Sequence, residues 1–198
     1  MNYKIESESS SVTDKAADAD AQLIRRIVGG DQHALSDLFI HYRQPLFHYL
    51  LQFTTDHGLA EELLQDIFVA VWRNAYTFAG KSAVKAWLFG IARRRACKTL
   101  CRRELSFTDL AGLETMPAND PEPEASLLAR MAHAELMETI ACMTVVQREV
   151  LLLVFMHGFS YQEVADILDV PIGTVKSRLS SAKRSLRKLL EGGEEMMQ

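Results

Sequence analysis

Apolar residues in this chain recur every three or four positions, and this period constrains the fold more than any other feature. The segment LAEELLQDIFVAVWRNAY places six apolar residues on one side of a helix: Leu63, Leu64, Ile67, Phe68, Val71 and Trp72. Four polar residues fall around the other side: Glu61, Glu62, Gln65 and Asp66. No segment shows the alternation typical of a strand, so the sequence predicts an all-α fold.

The segment SYQEVADILDVPIG predicts a short helix followed by a tight turn. Ser160 stands at the capping position, and Glu163 completes a capping box three residues later. Three apolar residues of this helix are predicted to face inward: Val164, Ile167 and Leu168. A turn is predicted from Asp169 to Gly173, and Thr174 begins a second helix. This order predicts a helix-turn-helix.

The second of these helices has one apolar and one basic face. Residues 173–190 contain six basic residues and no acid. The predicted core face consists of Val175, Leu179, Ala182, Leu186 and Leu189. The opposite face consists of Ser177, Ser180, Ser181, Arg184 and Lys188, flanked by Lys176, Lys183 and Arg187. Small hydroxyls beside long bases suit the major groove of DNA, so the pattern predicts DNA binding.

Charge is segregated along the chain although the formal net charge is only −4. The helix predicted from Val84 to Arg103 begins apolar and ends with six basic residues and no acid after residue 92. Residues 104–128, which follow that helix, carry six acids and no base. Two separate basic helices indicate one polyanion held at two places.

Composition shifts divide the chain into five parts. A short helix is predicted from Ala21 to Val28, ending at Gly29 and Gly30, and Asp31 is predicted to cap a helix in which Pro45 causes a kink or break. We predict two small helical domains, joined by a flexible acidic linker. The predicted boundaries are a disordered acidic tail at 1–20, a domain at 21–105, the linker at 106–128, the helix-turn-helix domain at 129–192 and a tail at 193–198.

Several classes of protein are disfavoured by the sequence. The odd number of cysteines, Cys97, Cys101 and Cys142, indicates reduced thiols rather than disulfides. The N-terminal residues lack the apolar core of a signal peptide, and the longest apolar run is far short of the roughly 20 residues that cross a bilayer. We expect a cytoplasmic protein that is not an enzyme and needs no metal or cofactor.

Three segments of the chain carry a family resemblance. FSYQEVADILDVPIGTVKSRL resembles the minus-thirty-five-reading region of extracytoplasmic-function (ECF, group 4) sigma factors of the sigma-70 family, which are promoter-specificity subunits of bacterial RNA polymerase. AEELLQDIFVAVW resembles the core-polymerase-binding helix of that family, and FAGKSAVKAWLFGIARRRACKTL resembles its minus-ten-reading loop and helix. The resemblance runs from about Ala21 to Leu190 and implies an alternative sigma factor that directs polymerase to promoters and promotes their melting.

The resemblance also implies which residues bind DNA. The implied minus-thirty-five contacts are Thr174, Lys176, Ser177, Arg178, Ser180, Ser181, Arg184 and Lys188. Minus-ten contacts are implied for a loop that captures a flipped base, Phe78, Gly80, Lys81 and Ser82, and for a basic helix that holds the non-template strand, Arg93, Arg94, Arg95 and Lys98. Trp87 is interpreted as a core residue rather than a platform for a base.

The resemblance implies two protein partners. One is core RNA polymerase, bound through its clamp coiled coil and flap, and the other is an anti-sigma factor that holds this protein inactive. This protein itself is not expected to insert into a membrane. Glu62, Gln65 and Asp66 match the positions that dock on the clamp. Four departures from the family bear on the promoter sequence rather than on the role: Arg94 replaces a usual Asn, Lys98 a frequent Asp, Ser181 a frequent Arg, and Met143-Thr144 a usual Leu-Pro.

Two rival functions remain open at this point. A free-standing activator or repressor would use the helix-turn-helix without polymerase, but this leaves the basic helix of the first domain and the polar face of AEELLQDIF unexplained. A pure interaction protein such as an anti-sigma factor does not fit two basic helices, because a partner that mimics DNA should be acidic. Tight duplex binding without core polymerase would favour the free-standing regulator.

Overall fold

The computed structural model describes residues 18–104 and 136–195, with side chains at 18–100 and 136–190. Within these ranges the chain forms helices and connecting turns and no strand, which confirms the all-α prediction. The helices are α1 (18–28), α2 (Gln32–Leu50), α3 (His57–Asn74), a short 3-10 helix (Ala75–Thr77), α4 (Val84–Glu104), α5 (136–141), α6 (Val145–Phe155), α7 (Tyr161–Leu168) and α8 (Ile172–Glu195). Contacts between Cα atoms divide the chain into two units. The first holds α1 to α4, and the second holds α5, α6, α8 and residues 161–165 of α7.

The core of the first unit lies between α2, α3 and α4, which pack against one another in pairs. Leu38 of α2, Ile67 of α3 and Leu88 of α4 are fully buried. The rings of Tyr49 and Phe89 meet at a centroid distance of 5.0 Å and connect α2 to α4. This packing fixes the outer faces of α3 and α4, which carry the predicted binding residues.

The turn between α1 and α2 matches the sequence prediction. Gly30 has a φ of 85°, and the amide of Asp31 donates to the carbonyl of Arg26 across a glycine-ended helix terminus. Asp31 Oδ1 accepts hydrogen bonds from the backbone amides of His33 and Ala34, so the predicted cap of α2 is confirmed. The hydrogen bond from the Arg26 side chain is the main cause that lowers the pKa of Asp31, and the two backbone amides add to it.

Two sequence predictions for the first unit need correction. The prediction of a disordered acidic tail through residue 20 is wrong at its end, because Asp18 and Asp20 lie in α1. Carboxylates at a helix N-terminus are favourable, and Asp20 also accepts a hydrogen bond from the Tyr42 hydroxyl. The rest of the predicted tail lies outside the described residues. Of the kink or break predicted at Pro45, the break is wrong, since α2 continues through the proline to Leu50, with Leu46, Tyr49 and Leu50 buried.

The second unit is built on the contact between α6 and α8. Val150 and Leu153 of α6 are fully buried, as are Val175 and Ala182 of α8. Burial of these side chains directs the opposite face of α8 outward. The predicted linker at 106–128 lies outside the described residues.

Helix α7 begins as predicted. Ser160 Oγ accepts a hydrogen bond from the Glu163 amide, and the Glu163 carboxylate accepts one from the Ser160 amide, which completes the capping box. The three side chains predicted to face inward are buried: Val164, Ile167 and Leu168.

The turn after α7 is tighter than the sequence predicts. Asp169 caps α7 in the left-handed conformation, with a φ of 53°. Helix α8 then begins at Ile172, two residues before the predicted start at Thr174. The carbonyl of Pro171 already accepts a hydrogen bond from the Thr174 amide, so the first helical turn forms immediately after the proline.

Helix α8 also ends later than the sequence predicts. The predicted domain end at 192 and tail at 193–198 treat Gly192 and Gly193 as a helix stop, but the helix runs through both and ends at Glu195. Glycine lowers helix propensity by about 1 kcal/mol per residue without a steric clash, so two glycines need not end a long helix.

Candidate nucleic-acid interface

The outer face of α8 is the most basic surface of the second unit. Six of the eight predicted minus-thirty-five residues are exposed: Lys176, Ser177, Ser180, Ser181, Arg184 and Lys188. Thr174 and Arg178 are half-buried at its edges. Because the apolar face of α8 packs on α6, the exposed side chains project together into solvent, in an arrangement that fits a major groove.

The predicted core face of α8 is right at its start and wrong at its end. Val175, Leu179 and Ala182 are buried and Leu186 is half-buried, but Leu189 is 40% exposed. Helix α6 has 11 residues and α8 has 24, or about 16 Å against about 36 Å. The shorter helix therefore cannot cover the last turns of the longer one.

Side chains of α6 contact the basic face of α8, which the sequence did not reveal. Gln147 Nε2 donates to Ser181 Oγ at 3.3 Å and to Ser185 Oγ at 2.9 Å. Lys183 Nζ lies 5.2 Å from the centre of the Phe155 ring, a cation–π distance. These pairs are more than twenty residues apart in the chain, so no local pattern could have indicated them.

In the first unit, Phe78 of the predicted minus-ten loop packs against Trp87 of α4. The rings of Phe78 and Trp87 are 5.3 Å apart and tilted by 59°. Both residues are half-buried, so Trp87 is not the fully enclosed core residue that the sequence suggested. Gly80 has a φ of 68°, which favours glycine there, and exposed Lys81 follows it. Ser82 is half-buried on the same loop. The loop thus presents an aromatic surface next to a positive charge.

The basic half of α4 continues from this loop. Arg94 and Lys98 are exposed, and Arg93 and Arg95 are half-buried. The Arg94 guanidinium lies over the helix surface at Gly90, where a Cβ would come within 3.3 Å of Arg94 Nη1. The face therefore carries two exposed and two half-buried bases, and the Arg94 guanidinium lies against its own helix.

The outer face of α3 carries the predicted polymerase-binding residues. Glu62, Gln65 and Asp66 are all exposed, as the sequence predicted. The same stripe continues into apolar side chains that are also exposed: Val69 (47%), Trp72 (37%) and Tyr76 (72%). The prediction that Trp72 faces the core is wrong. The exposed stripe is consequently larger and more apolar than the three predicted polymerase-binding residues indicate.

An ion pair connects the predicted polymerase-binding stripe on α3 to the basic half of α4. Arg95 Nη1 of α4 lies 4.0 Å from Asp66 Oδ2 of α3, and both side chains are about half exposed. The structure thus brings together one residue that the sequence assigned to polymerase and one that it assigned to DNA.

Within the described ranges, no group of three or more His, Cys, Asp and Glu side chains is arranged to hold a metal ion. Cys97 and Cys142 are exposed, and neither forms a disulfide within the described residues. No helix in the described part of the chain is long and apolar enough to cross a membrane. The surfaces that stand out are the two basic faces and the stripe on α3, and they define a two-unit helical DNA-binding protein with a helix-turn-helix.

Comparison with known proteins agrees with this class. The family model described as Sigma-70 region 2 matches residues 38–105, and that described as Sigma-70, region 4 matches residues 133–186. The ECF RNA polymerase sigma factor SigK of Mycobacterium tuberculosis is 31% identical over 183 residues, which cover 89% of this chain and 95% of the relative. The chain therefore belongs to the ECF group of the sigma-70 family, and it is an alternative sigma factor in promoter-specific transcription.

Other relatives and solved structures are similar over most of the chain. The RNA polymerase sigma-H factor of Pseudomonas aeruginosa is 29% identical over 181 residues, covering 87% of this chain and 94% of the relative. The sigma factor RpoE of Bartonella quintana, solved with the anti-sigma factor NepR, has a TM-score of 0.64 at 26% identity and covers 79% of this chain and 96% of its own. CnrH, solved with the cytosolic domain of CnrY, has the same TM-score at 24% identity over 88% and 98% of the two chains, and shows the shared fold.

Proposed function

We propose that this chain docks on core RNA polymerase through α3 and reads a two-part promoter with α4 and α8. The observation that carries the proposal is the presence of one basic face on each of two units, together with an exposed stripe on the first. A single DNA element could be bound by one basic face on one unit. Two basic faces on two units are explained by a promoter that has an upstream and a downstream element. The polymerase supplies the chemistry, and this chain acts by binding rather than as an enzyme.

The two units are assigned separate tasks. We assign polymerase and the minus-ten element to residues 18–105, and the minus-thirty-five element to residues 129–195. The matches of region 2 and region 4 models within these ranges support the division. The acidic segment at 106–128 joins the two units that carry out these tasks.

The minus-thirty-five element binds on the outer face of α8. Arg184 and Lys188 are exposed and reach phosphates or guanine edges, while Ser177 and Ser180 let the helix backbone approach the groove. Lys176 and Ser181 extend the same exposed surface. Phosphate contacts release counterions, so affinity falls steeply with rising salt.

The minus-ten element binds to the loop and the basic half of α4. A base taken out of the stack needs a pocket with an aromatic or apolar wall, and the Phe78–Trp87 pair supplies such a wall. Lys81 stands beside it, and Arg94 and Lys98 continue the positive surface for the opened strand. The loop and helix together hold the melted strand and favour opening.

Core polymerase binds along the stripe on α3. Glu62, Gln65 and Asp66 supply the polar contacts, and Val69 and Trp72 extend them with exposed apolar area. Exposed tryptophan is among the side chains most enriched in binding hot spots. The stripe is therefore assigned to the clamp coiled coil, and the second unit to the flap.

An anti-sigma factor is proposed as the regulatory partner. The structurally similar RpoE of Bartonella quintana was solved in complex with an anti-sigma factor, and this chain matches it at 26% identity with a TM-score of 0.64. The partner would cover the surfaces that bind polymerase and DNA, and release would restore them. We place the protein in the cytoplasm, where polymerase and promoters meet, without membrane insertion of its own.

Reconstituted transcription tests the proposal. Purified protein and bacterial core polymerase are incubated with a fragment library of the source genome, and transcript starts are mapped. We expect core-dependent initiation at a shared two-part motif, lost when Arg184 and Lys188 are both changed to Ala. A control variant with Arg25 and Arg43 changed to Ala, two exposed bases outside the proposed interface, should initiate normally. Duplex binding without core, and no initiation with it, would instead indicate a free-standing regulator.

A further inference from the structure

A short polar chain connects the start of α6 to the DNA-facing side of α8. Thr144 caps α6, and Thr144 Oγ1 lies 3.4 Å from the Gln147 amide nitrogen and 3.1 Å from Gln147 Oε1. Gln147 Nε2 in turn lies 3.3 Å from Ser181 Oγ and 2.9 Å from Ser185 Oγ. Four side chains from two helices thus form one connected set of hydrogen bonds.

The direction of each hydrogen bond follows from the cap. Thr144 Oγ1 accepts from the Gln147 backbone amide, so its own hydrogen is directed to Gln147 Oε1. With its oxygen occupied in this way, the side-chain amide presents Nε2 to the serines. Nε2 carries two hydrogens and has no lone pair to accept with, so Ser181 and Ser185 are both acceptors in this set.

Ser181 therefore keeps its hydroxyl hydrogen available on the exposed face. Ser177, one turn earlier on the same face, differs, because its hydroxyl donates to the Thr174 carbonyl at 3.0 Å. The two serines have the same side chain but differ in what they offer a ligand: Ser181 keeps its hydrogen and one lone pair, whereas Ser177 keeps only lone pairs. By occupying one lone pair, Gln147 biases Ser181 toward donating, while Ser177 can only accept.

We infer that Gln147 is a specificity-determining residue, which acts on the minus-thirty-five element by holding Ser181 as a hydrogen-bond donor to a base edge. This inference rests on the proposed function. Acceptors in the major groove are purine N7, guanine O6 and thymine O4, whereas cytosine offers only the N4 donor there. Ser181 held as a donor favours guanine, adenine or thymine over cytosine at one base of the contacted strand. Gln147 does not touch that base and is a positioning residue.

Promoter selection by the holoenzyme tests this role. Core polymerase with the full chain initiates on a library in which the minus-thirty-five element is randomised and the minus-ten element is fixed, and selected templates are sequenced. Gln147→Met keeps the length of the side chain but cannot hydrogen-bond to the serines. We expect discrimination against cytosine to fall about fivefold at one position, the size of a single net hydrogen bond, with the other positions unchanged.

Two further variants separate hydrogen-bond direction from packing. Gln147→Glu accepts from Ser181 and turns the hydroxyl into an acceptor toward DNA, so the preference at that position should move toward cytosine N4 or adenine N6. Ser181→Ala should reproduce the loss seen with Gln147→Met, and the double variant should lose no more than Ser181→Ala alone. Ser177→Ala should leave that position unchanged, and Gln22→Met, which removes a glutamine hydrogen bond from the first unit, is the matched control.

The outcomes distinguish this inference from the function on which it rests. If Gln147→Met, Gln147→Glu and Ser181→Ala all select the same minus-thirty-five motif as the wild type, the role of Gln147 is overturned. The proposed sigma function is unaffected by that result. An equal loss of initiation on every template also overturns it, because such a loss reports packing or phosphate contacts. Failure of the wild-type holoenzyme to select any minus-thirty-five motif overturns the proposed reading of DNA by α8, and the inference with it.

Discussion

Arg95 Nη1 on α4 lies 4.0 Å from Asp66 Oδ2 on α3, so one ion pair joins the proposed polymerase-binding stripe to the proposed minus-ten helix. Both side chains are about half exposed, and an exposed pair contributes under about 1 kcal/mol to stability. The pair is therefore more useful for positioning the two surfaces than for holding the fold together.

Substitutions at this pair should separate the two binding functions. Asp66→Ala is expected to weaken binding to core polymerase, because it removes a carboxylate from the stripe. Arg95→Ala is expected to slow promoter opening while core binding remains, because it removes a charge from the strand-binding face. Core affinity is measured by fluorescence titration and opening by permanganate footprinting. Equal effects of both variants in both assays would contradict the division of roles.

Neighbouring residues of α3 should respond in opposite ways to truncation. Phe68 is buried and contacts the Phe39 ring at a centroid distance of 4.9 Å, so Phe68→Ala should destabilise the fold by about 3–5 kcal/mol. Trp72 is 37% exposed, so Trp72→Ala should destabilise much less while lowering affinity for core polymerase by at least about tenfold. Urea unfolding and core titration measure the two quantities. Normal core binding by a folded Trp72→Ala protein would remove Trp72 from the interface.

The two faces of α8 should also separate. Leu179 is buried, so Leu179→Ala should destabilise the protein by about 2–5 kcal/mol. Arg184 is exposed, so Arg184→Ala should leave the unfolding midpoint unchanged. If Arg184 contacts a phosphate, this variant should reduce the slope of log affinity against log salt by about 0.9. An unchanged slope with a changed motif would instead assign Arg184 to a base edge.

Stability in acid should report the cap of α2. The hydrogen bond from Arg26, supported by the Ala34 and His33 amides, lowers the pKa of Asp31 below its ordinary value of 3.8. A carboxylate with a lowered pKa stabilises the fold above its unfolded pKa, and this contribution is lost as pH falls through the folded pKa.

Asp31→Asn keeps a capping oxygen but cannot ionise. The variant should be less stable than wild type at neutral pH, and the difference should shrink once the pH falls below 3.8. Urea unfolding midpoints at a series of pH values measure it. A difference that stays constant into acid would mean that the charge on Asp31 contributes nothing.

Local patterns predicted most of the secondary structure because they depend on neighbouring residues. The Ser160 capping box, the Asp31 cap and the turn at Gly30 were all readable from a few adjacent letters. Trp72 and Leu189 were misplaced because helical period shows which residues share a side, but not how far a partner helix extends along it.

The residues of the candidate site also fall into those that local sequence predicted and those that it did not. Exposed bases on α8 followed from composition and period, and the family resemblance added the loop at Phe78 and the stripe on α3. Gln147 remained hidden because its partner Ser181 is 34 residues away, and a single sequence does not show which distant polar residues meet. Tertiary packing alone brings them together.

Helix α4 is one continuous element of 21 residues, about 31 Å long, with Leu88 and Phe89 in the core of its first half and the proposed strand-binding charges in its second half. In a continuous helix, a rotation introduced at one residue changes the direction of every later side chain. One residue inserted after Ile91 would turn every later side chain by about 100°, which would carry Arg94 off its present face and the buried Ala92 and Ala96 out of the core, while Leu88 and Phe89 would keep their places. The direction in which the proposed DNA-binding charges point is therefore set by the register of a continuous helix, which a substitution that leaves the helix unbroken does not alter.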